Sequence, residues 1–176
     1  MAALTSSNHP LLAIRPAEPA DLARIFEIYN REVTEEVTTF DTEPRVLGRD
    51  DGWLTEREQR YPVLVGEAGG QIVGWSSLSQ WSPRGAYART AEVSVYVDPA
   101  HRGNGYGRAL LAAVVELAPA TGAGVLLARI VEPNPASTAT HRSLGFEPIG
   151  VQRRAGEKFG RILDVTLMDL HVDGAN

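Results

Sequence analysis

The sequence predicts an α/β domain of the α+β type, a sheet with helices packed against it. Three stretches carry that expectation. Residues 62–68 and 71–78 are two β-rich runs joined by Gly69-Gly70, which reads as a β-hairpin. Residues 91–97, 107–118 and 125–131 read as strand, helix and strand, with a glycine-rich turn between the first two. Two more strand-like runs, 148–154 and 161–170, close the chain.

Taken in order, residues 1–10 are mostly small and polar without a period, so they are expected as a flexible extension to one domain over 11–172. Following Ile14-Arg15-Pro16, the segment 21–31 spaces Leu22, Ile25, Phe26 and Tyr29 as one helical face, with Asp21 as a plausible N-cap. The polar stretch 32–61 has one compact apolar element, Val37-Thr38-Thr39-Phe40, and a second helix is expected around 52–60. The hairpin starts the sheet antiparallel. After the strand 125–131, Pro135 opens a short helix that Gly145 is suited to terminate. No internal repeat is evident.

Composition narrows the function. The chain has 17 Lys and Arg against 22 Asp and Glu, a net charge of -5, so no general basic field exists to hold a phosphate backbone and nucleic acid is not expected as a partner. With 0 Cys, the fold cannot rest on disulfides, and thiolate catalysis and cysteine-ligated zinc are excluded. His9, His101, His141 and His171 lack ligand spacing, so no metal is expected. Leu11-Leu12-Ala13-Ile14 is far shorter than the ~20 residues of a membrane span. A cytoplasmic protein with no membrane partner is the expectation.

The segment His101-Arg102-Gly103-Asn104-Gly105-Tyr106-Gly107-Arg108 lies between a strand and a helix. Free amides and the helix dipole converge there on an anion site, and glycines permit positive φ and close backbone approach to phosphate oxygens. Arg102 or Arg108 adds charge from the side. Two nucleotide motifs fail: a Walker loop requires Gly-Lys and then Ser or Thr, and a dinucleotide fingerprint from Gly103 requires glycine where Arg108 stands. What remains is Arg102-x-x-Gly105-x-Gly107, followed by an apolar helix.

That motif, with Asn134 and Ser137 beyond the next strand, resembles the acyl-CoA-binding motif of the GNAT acetyltransferase superfamily. A narrower likeness, to the phosphinothricin and methionine sulfone N-acetyltransferases, is carried by Trp81-x-x-Arg84-x-Ala86-Tyr87-x-x-Thr90-Ala91-Glu92 and Ser94-Val95-Tyr96-Val97. Also similar are Tyr29-Asn30, Thr39-Phe40, Tyr61-Pro62, His141-x-x-x-Gly145-Phe146 and Lys158-Phe159-Gly160-Arg161. Ile162 departs from the tryptophan common in that branch. The resemblance implies the GNAT fold, a mixed, mostly antiparallel sheet that splays beside the strand of Glu92 to admit acetyl-CoA. Val95, Tyr96 and Val97 would pair with the pantetheine arm, Val95 donating to the thioester carbonyl from a strand bulge, while Arg102, Gly103, Asn104, Gly105, Tyr106, Gly107 and Arg108 hold the pyrophosphate.

The activity implied is acetyl transfer to the amine of a small amino-acid-like substrate. An α-ammonium group must lose a proton before attack, and Glu92 is the candidate base, through a raised pKa or a relay of water. His141 is the family-aligned acid for the departing thiolate, or else a hydrogen-bonding partner of the substrate. Arg84 and Lys158 are candidate partners for a substrate carboxylate or its phosphinate or sulfone oxygens. Phe40, Tyr87 and Thr90 are candidate pocket walls, with Phe40 and Tyr87 equally readable as core or as part of a homodimer interface. A protein or peptide N-terminal acetyltransferase and a CoA-binding sensor without catalysis are the alternative readings.

Overall fold

The structure, a computed structural model, describes residues 11–57 and 60–173; the extension expected at 1–10 lies outside the described residues. Seven strands form one sheet: β1 (Ala13–Pro16), β2 (Val63–Ala68), β3 (Gln71–Gln80), β4 (Thr90–Val97), β5 (Val125–Val131), β6 (Glu147–Lys158) and β7 (Arg161–His171), in the order β1-β2-β3-β4-β5-β7-β6. Only β4 and β5 pair in parallel; every other neighbouring pair is antiparallel. The expected mixed, mostly antiparallel sheet is therefore present.

Among the described residues four α-helices flank it: α1 (Leu22–Glu35), α2 (Gly52–Thr55), α3 (Tyr106–Leu117) and α4 (Pro135–Arg142). The apolar face expected for α1 is buried as a unit, with Leu22, Ile25, Phe26 and Tyr29 packed beside Val65 and Trp75. Its helix runs to Glu35, and Asp21 occupies the expected N-cap position without a side-chain capping bond: the carboxylate accepts instead from Arg15 at 2.7 and 2.9 Å and from the Glu18 amide at 2.7 Å. The second helix is shorter than 52–60, and β1, which the sequence did not announce, pairs with β2. Gly69 and Gly70, at φ +60° and +78°, make the hairpin turn.

On the other face, Leu110, Leu111 and Val114 of α3 are fully buried, each contributing ~1.5–3 kcal/mol of apolar burial. Gly74 of β3 permits this approach, since a Cβ there would lie 2.7 Å from the Tyr96 carbonyl oxygen and 2.9 Å from the Leu110 side chain. No described helix is long and apolar enough to cross a membrane.

Candidate active site

The site begins as a defect in the sheet. β4 pairs with β5 only through Thr90, Ala91 and Glu92, opposite Val125, Leu126 and Leu127, and beyond Glu92 the two parallel strands part. Backbone groups alternate direction along a strand. The Asp98 amide donates to Val73 of β3, whereas the Arg89 carbonyl accepts from Gly124 and Val125 on the β5 side. The Val93 carbonyl and the amides and carbonyls of Val95 and Val97 therefore face the side where β5 has parted. The bulge expected near Val95 is not seen as a register shift, because β4 matches β3 one for one from Ala91 to Val97. Unpaired edge groups arise instead from the loss of β5 as a neighbour.

Below the split, Gly103 and Gly105 adopt φ of +81° and +77°, and Gly105 occupies the N-cap position of α3. The first amides of α3 have no partner within the helix and face the turn. Together with Val95, Tyr96, Val97, Arg102, Tyr106, Gly107, Arg108, Asn134, Ser137 and His141, the two glycines line a cavity of ≈ 460 Å³. Asn104 is absent from that lining and donates to the His101 carbonyl at 3.1 Å. Asn134 caps α4, its side-chain oxygen accepting from the Ser137 amide at 3.0 Å.

The arginines of the turn are already engaged. Arg102 donates to the Val97 carbonyl at 3.2 Å and pairs through Nη2 with Glu32, a buried carboxylate that also accepts from Thr38 at 2.6 Å. It ties the turn to α1, a use that local spacing did not reveal. Arg108 donates to Ser143 at 3.0 Å while lining the cavity.

A second cavity, of ≈ 480 Å³, opens on the α1 face of β4. Tyr29, Phe40, Trp53, Trp75 and Tyr96 form its aromatic walls, and Ser77, Ser79 and Ser94 supply hydroxyls. Burial, with Asp41 at 2.6 Å, pushes the Tyr29 phenol up to about 12. Glu92, Ser94, Tyr96, Arg129 and Val131 line both cavities, so the two meet where the strands part.

At that junction Glu92 accepts two hydrogen bonds from Arg129, from Nε and Nη2, each 2.8 Å. Sequence reasoning missed Arg129. Only the parallel register, Glu92 opposite Leu127, puts a residue two further along β5 beside the carboxylate. Its guanidinium also sits 5.5 Å from the ring centroid of Trp81.

His141 is buried at the cavity wall, its Nδ1 2.9 Å from the Ser137 carbonyl. A carbonyl only accepts, so Nδ1 carries the proton and Nε2 keeps its lone pair. Burial lowers the pKa, which favours the neutral ring. A neutral imidazole in this tautomer presents Nε2 as a hydrogen-bond acceptor.

The substrate-binding expectations are divided by the fold. Phe40 lines the second cavity and is 40% exposed. Arg84, Tyr87 and Thr90 line neither cavity just described; Arg84 and Tyr87 are exposed on the β3–β4 connection. Lys158 also lines neither cavity. Register shifts along β6 bring it against the end of α1, where buried Nζ donates to the carbonyls of Glu32 at 3.1 Å and Thr39 at 2.9 Å. Desolvation lowers its pKa. Replacing Lys158 by Met is expected to cost roughly 1–3 kcal/mol through two buried acceptors left unpaired, read by urea unfolding, with the KM for the amine substrate little changed. A large rise in that KM with unaltered stability would instead place Lys158 among the substrate ligands.

Comparison with known proteins agrees with this geometry. Residues 22–146 match the model of the acetyltransferase (GNAT) family. The chain is 41% identical to the L-methionine sulfoximine/L-methionine sulfone acetyltransferase of Pseudomonas aeruginosa, over 92% of this chain and 95% of that one. It is 34% identical to the phosphinothricin N-acetyltransferase of Streptomyces coelicolor, over 86% and 91%. Among solved structures, yncA of Salmonella typhimurium with its cofactor acetyl-CoA superposes with a TM-score of 0.90 at 38% identity, covering 94% of this chain and 96% of that one.

Proposed function

The chain belongs to the GNAT acetyltransferase family, as an acetyl-CoA-dependent N-acetyltransferase of the methionine sulfoximine and phosphinothricin branch, and from that premise we propose that it acetylates the α-amino group of a small free amino-acid-like substrate. The observation that carries this reading is the meeting of two cavities at Glu92 through the split between β4 and β5. One is walled by the glycine turn and suits a diphosphate carrier; the other is enclosed by aromatic rings and hydroxyls and suits a compact amine.

In this reading the pyrophosphate lies against the amides of Gly103 to Arg108 at the start of α3. The pantetheine arm replaces β5 beside Val93, Val95 and Val97, so main-chain pairing aligns the thioester with the junction. The amine enters from the aromatic side as an ammonium and gives one proton to Glu92, directly or through water. Its lone pair then attacks the thioester carbonyl, and the Val95 amide stabilises the oxyanion. The adduct nitrogen is itself cationic, so the proton it sheds balances the departing thiolate without a separate acid. Neutral His141 fits a role as acceptor and wall.

Residues 11–172 act here as one catalytic domain, and the protein works as a homodimer. The exposed side chains of Ile149, Val151, Phe159 and Ile162 on β6 and around its turn into β7 support that association. The test of function is thiol release from acetyl-CoA across free amino acids, their sulfone and phosphinic analogues, polyamines and short peptides. Methionine sulfone or phosphinothricin should lead the series by kcat/KM. Peptides leading it would replace this reading with an N-terminal acetyltransferase, and binding of CoA without turnover of any amine would leave a sensor.

A further inference from the structure

We infer that Arg129 is the receptor for the substrate's α-carboxylate, so that Glu92 and Arg129 together recognise a zwitterion. The inference rests on the function proposed above and names the group that would select its substrates.

The acceptor cavity needs a cation if it takes a free amino acid. Lys158 and Arg84 do not provide one there, since the first is bonded to carbonyls and the second lies outside the lining. Three guanidinium groups do line it: Arg45, Arg57 and Arg129. Arg57 is committed to the carbonyls of Tyr61 and Leu78, and its burial lowers its pKa to about 10. Arg45 is stacked 5.0 Å from the ring centroids of both Tyr29 and Trp53, with Asp41 at 3.9 Å. Of the three, Arg129 is the one bonded to Glu92, at the junction of the two cavities.

Its fork holds Glu92 through Nε and Nη2, while Nη1 has no hydrogen-bond partner among the described residues. Guanidinium has five N–H donors. The outer edge, made of Nη1 and the second hydrogen of Nη2, can therefore take a carboxylate in bidentate fashion without releasing Glu92. The side chain is 53% exposed whereas that of Glu92 is 17% exposed, so this edge is reachable while the base is sheltered.

The charges then match. An α-amino acid presents an ammonium and a carboxylate one carbon apart; the junction presents a carboxylate and a guanidinium in direct contact. Seating the substrate carboxylate on Arg129 delivers its nitrogen beside Glu92, the group that must take its proton. An amine lacking the adjacent carboxylate would bind without that alignment.

The experiment compares methionine sulfone with its α-carboxamide, using the native enzyme, Arg129→Gln and Arg129→Lys, with kcat and KM measured separately. The amide amine is intrinsically less basic, so the quantity read is the acid-to-amide ratio of kcat/KM in each variant relative to the native enzyme, where that difference cancels. Arg129→Gln should lower this ratio about tenfold or more, mainly through the KM of the acid, as expected for losing a charge-assisted bidentate contact. Arg129→Lys should restore part of it. A ratio unchanged in both variants, while the native enzyme acetylates methionine sulfone well, overturns the inference alone. If the native enzyme prefers peptides to any free amino acid, the functional reading fails first.

Discussion

Glu92→Gln is expected to lower kcat at neutral pH by about 10²- to 10⁴-fold while acetyl-CoA still binds with near-native affinity. The magnitude is that of removing a positioned general base. The separation of effects follows from geometry: Glu92 stands at the junction of the two cavities, whereas the groups suited to the diphosphate lie below it in the turn before α3. Glutamine is nearly the same size but cannot accept a proton from an ammonium. It can still accept a hydrogen bond from Arg129, so packing at the junction should survive. A base role also predicts partial recovery at high pH, where more amine arrives unprotonated. Single-turnover rates across pH, together with calorimetric titration of acetyl-CoA, would measure both. Turnover equal to the native enzyme's at pH 7 would remove Glu92 from the proton path and leave its pairing with Arg129 as a structural contact.

What the sequence made legible was whatever depends on short-range order. The face of α1 shows as Leu22, Ile25, Phe26 and Tyr29, the hairpin as Gly69-Gly70, and the anion turn as glycines between a strand and a helix, because each is written within about a dozen consecutive residues. The strand of Glu92 was likewise readable from its own residues. What stayed hidden depends on register and on long-range partners. Arg129 reads as an ordinary strand arginine until β4 and β5 are paired in parallel, which sets it against a carboxylate 37 positions away. Arg102 reads as a free cation beside the anion turn and Lys158 as a partner for substrate oxygens, yet Arg102 is held by Glu32 and Lys158 by carbonyls more than a hundred positions away. Buried cations require partners. A sequence shows that requirement without showing which partner meets it, so the charges at this site were the least predictable part of it.

Gly105→Val should lower acetyl-CoA affinity by on the order of 100-fold, the equivalent of losing two backbone contacts to phosphate. Two effects add. Gly105 sits at φ +77°, a left-handed conformation that a β-branched residue adopts only at a cost of about 1–2 kcal/mol. In addition, a Cβ at this position meets no protein atom within 4 Å, and the residue lines the cofactor cavity, so the new side chain projects into the space a phosphate would occupy. Gly122 separates the two contributions. It has nearly the same φ, +82°, and a Cβ there would likewise meet no atom within 4 Å, but it lies at the end of the segment after α3 and lines neither cavity. Gly122→Val should therefore show a comparable fall in melting temperature with acetyl-CoA affinity preserved, and Gly105→Val should show both losses. Equal affinities for the two variants, measured by calorimetry, would mean that the turn before α3 is only a turn, and the phosphate cradle would have to be sought elsewhere along the split.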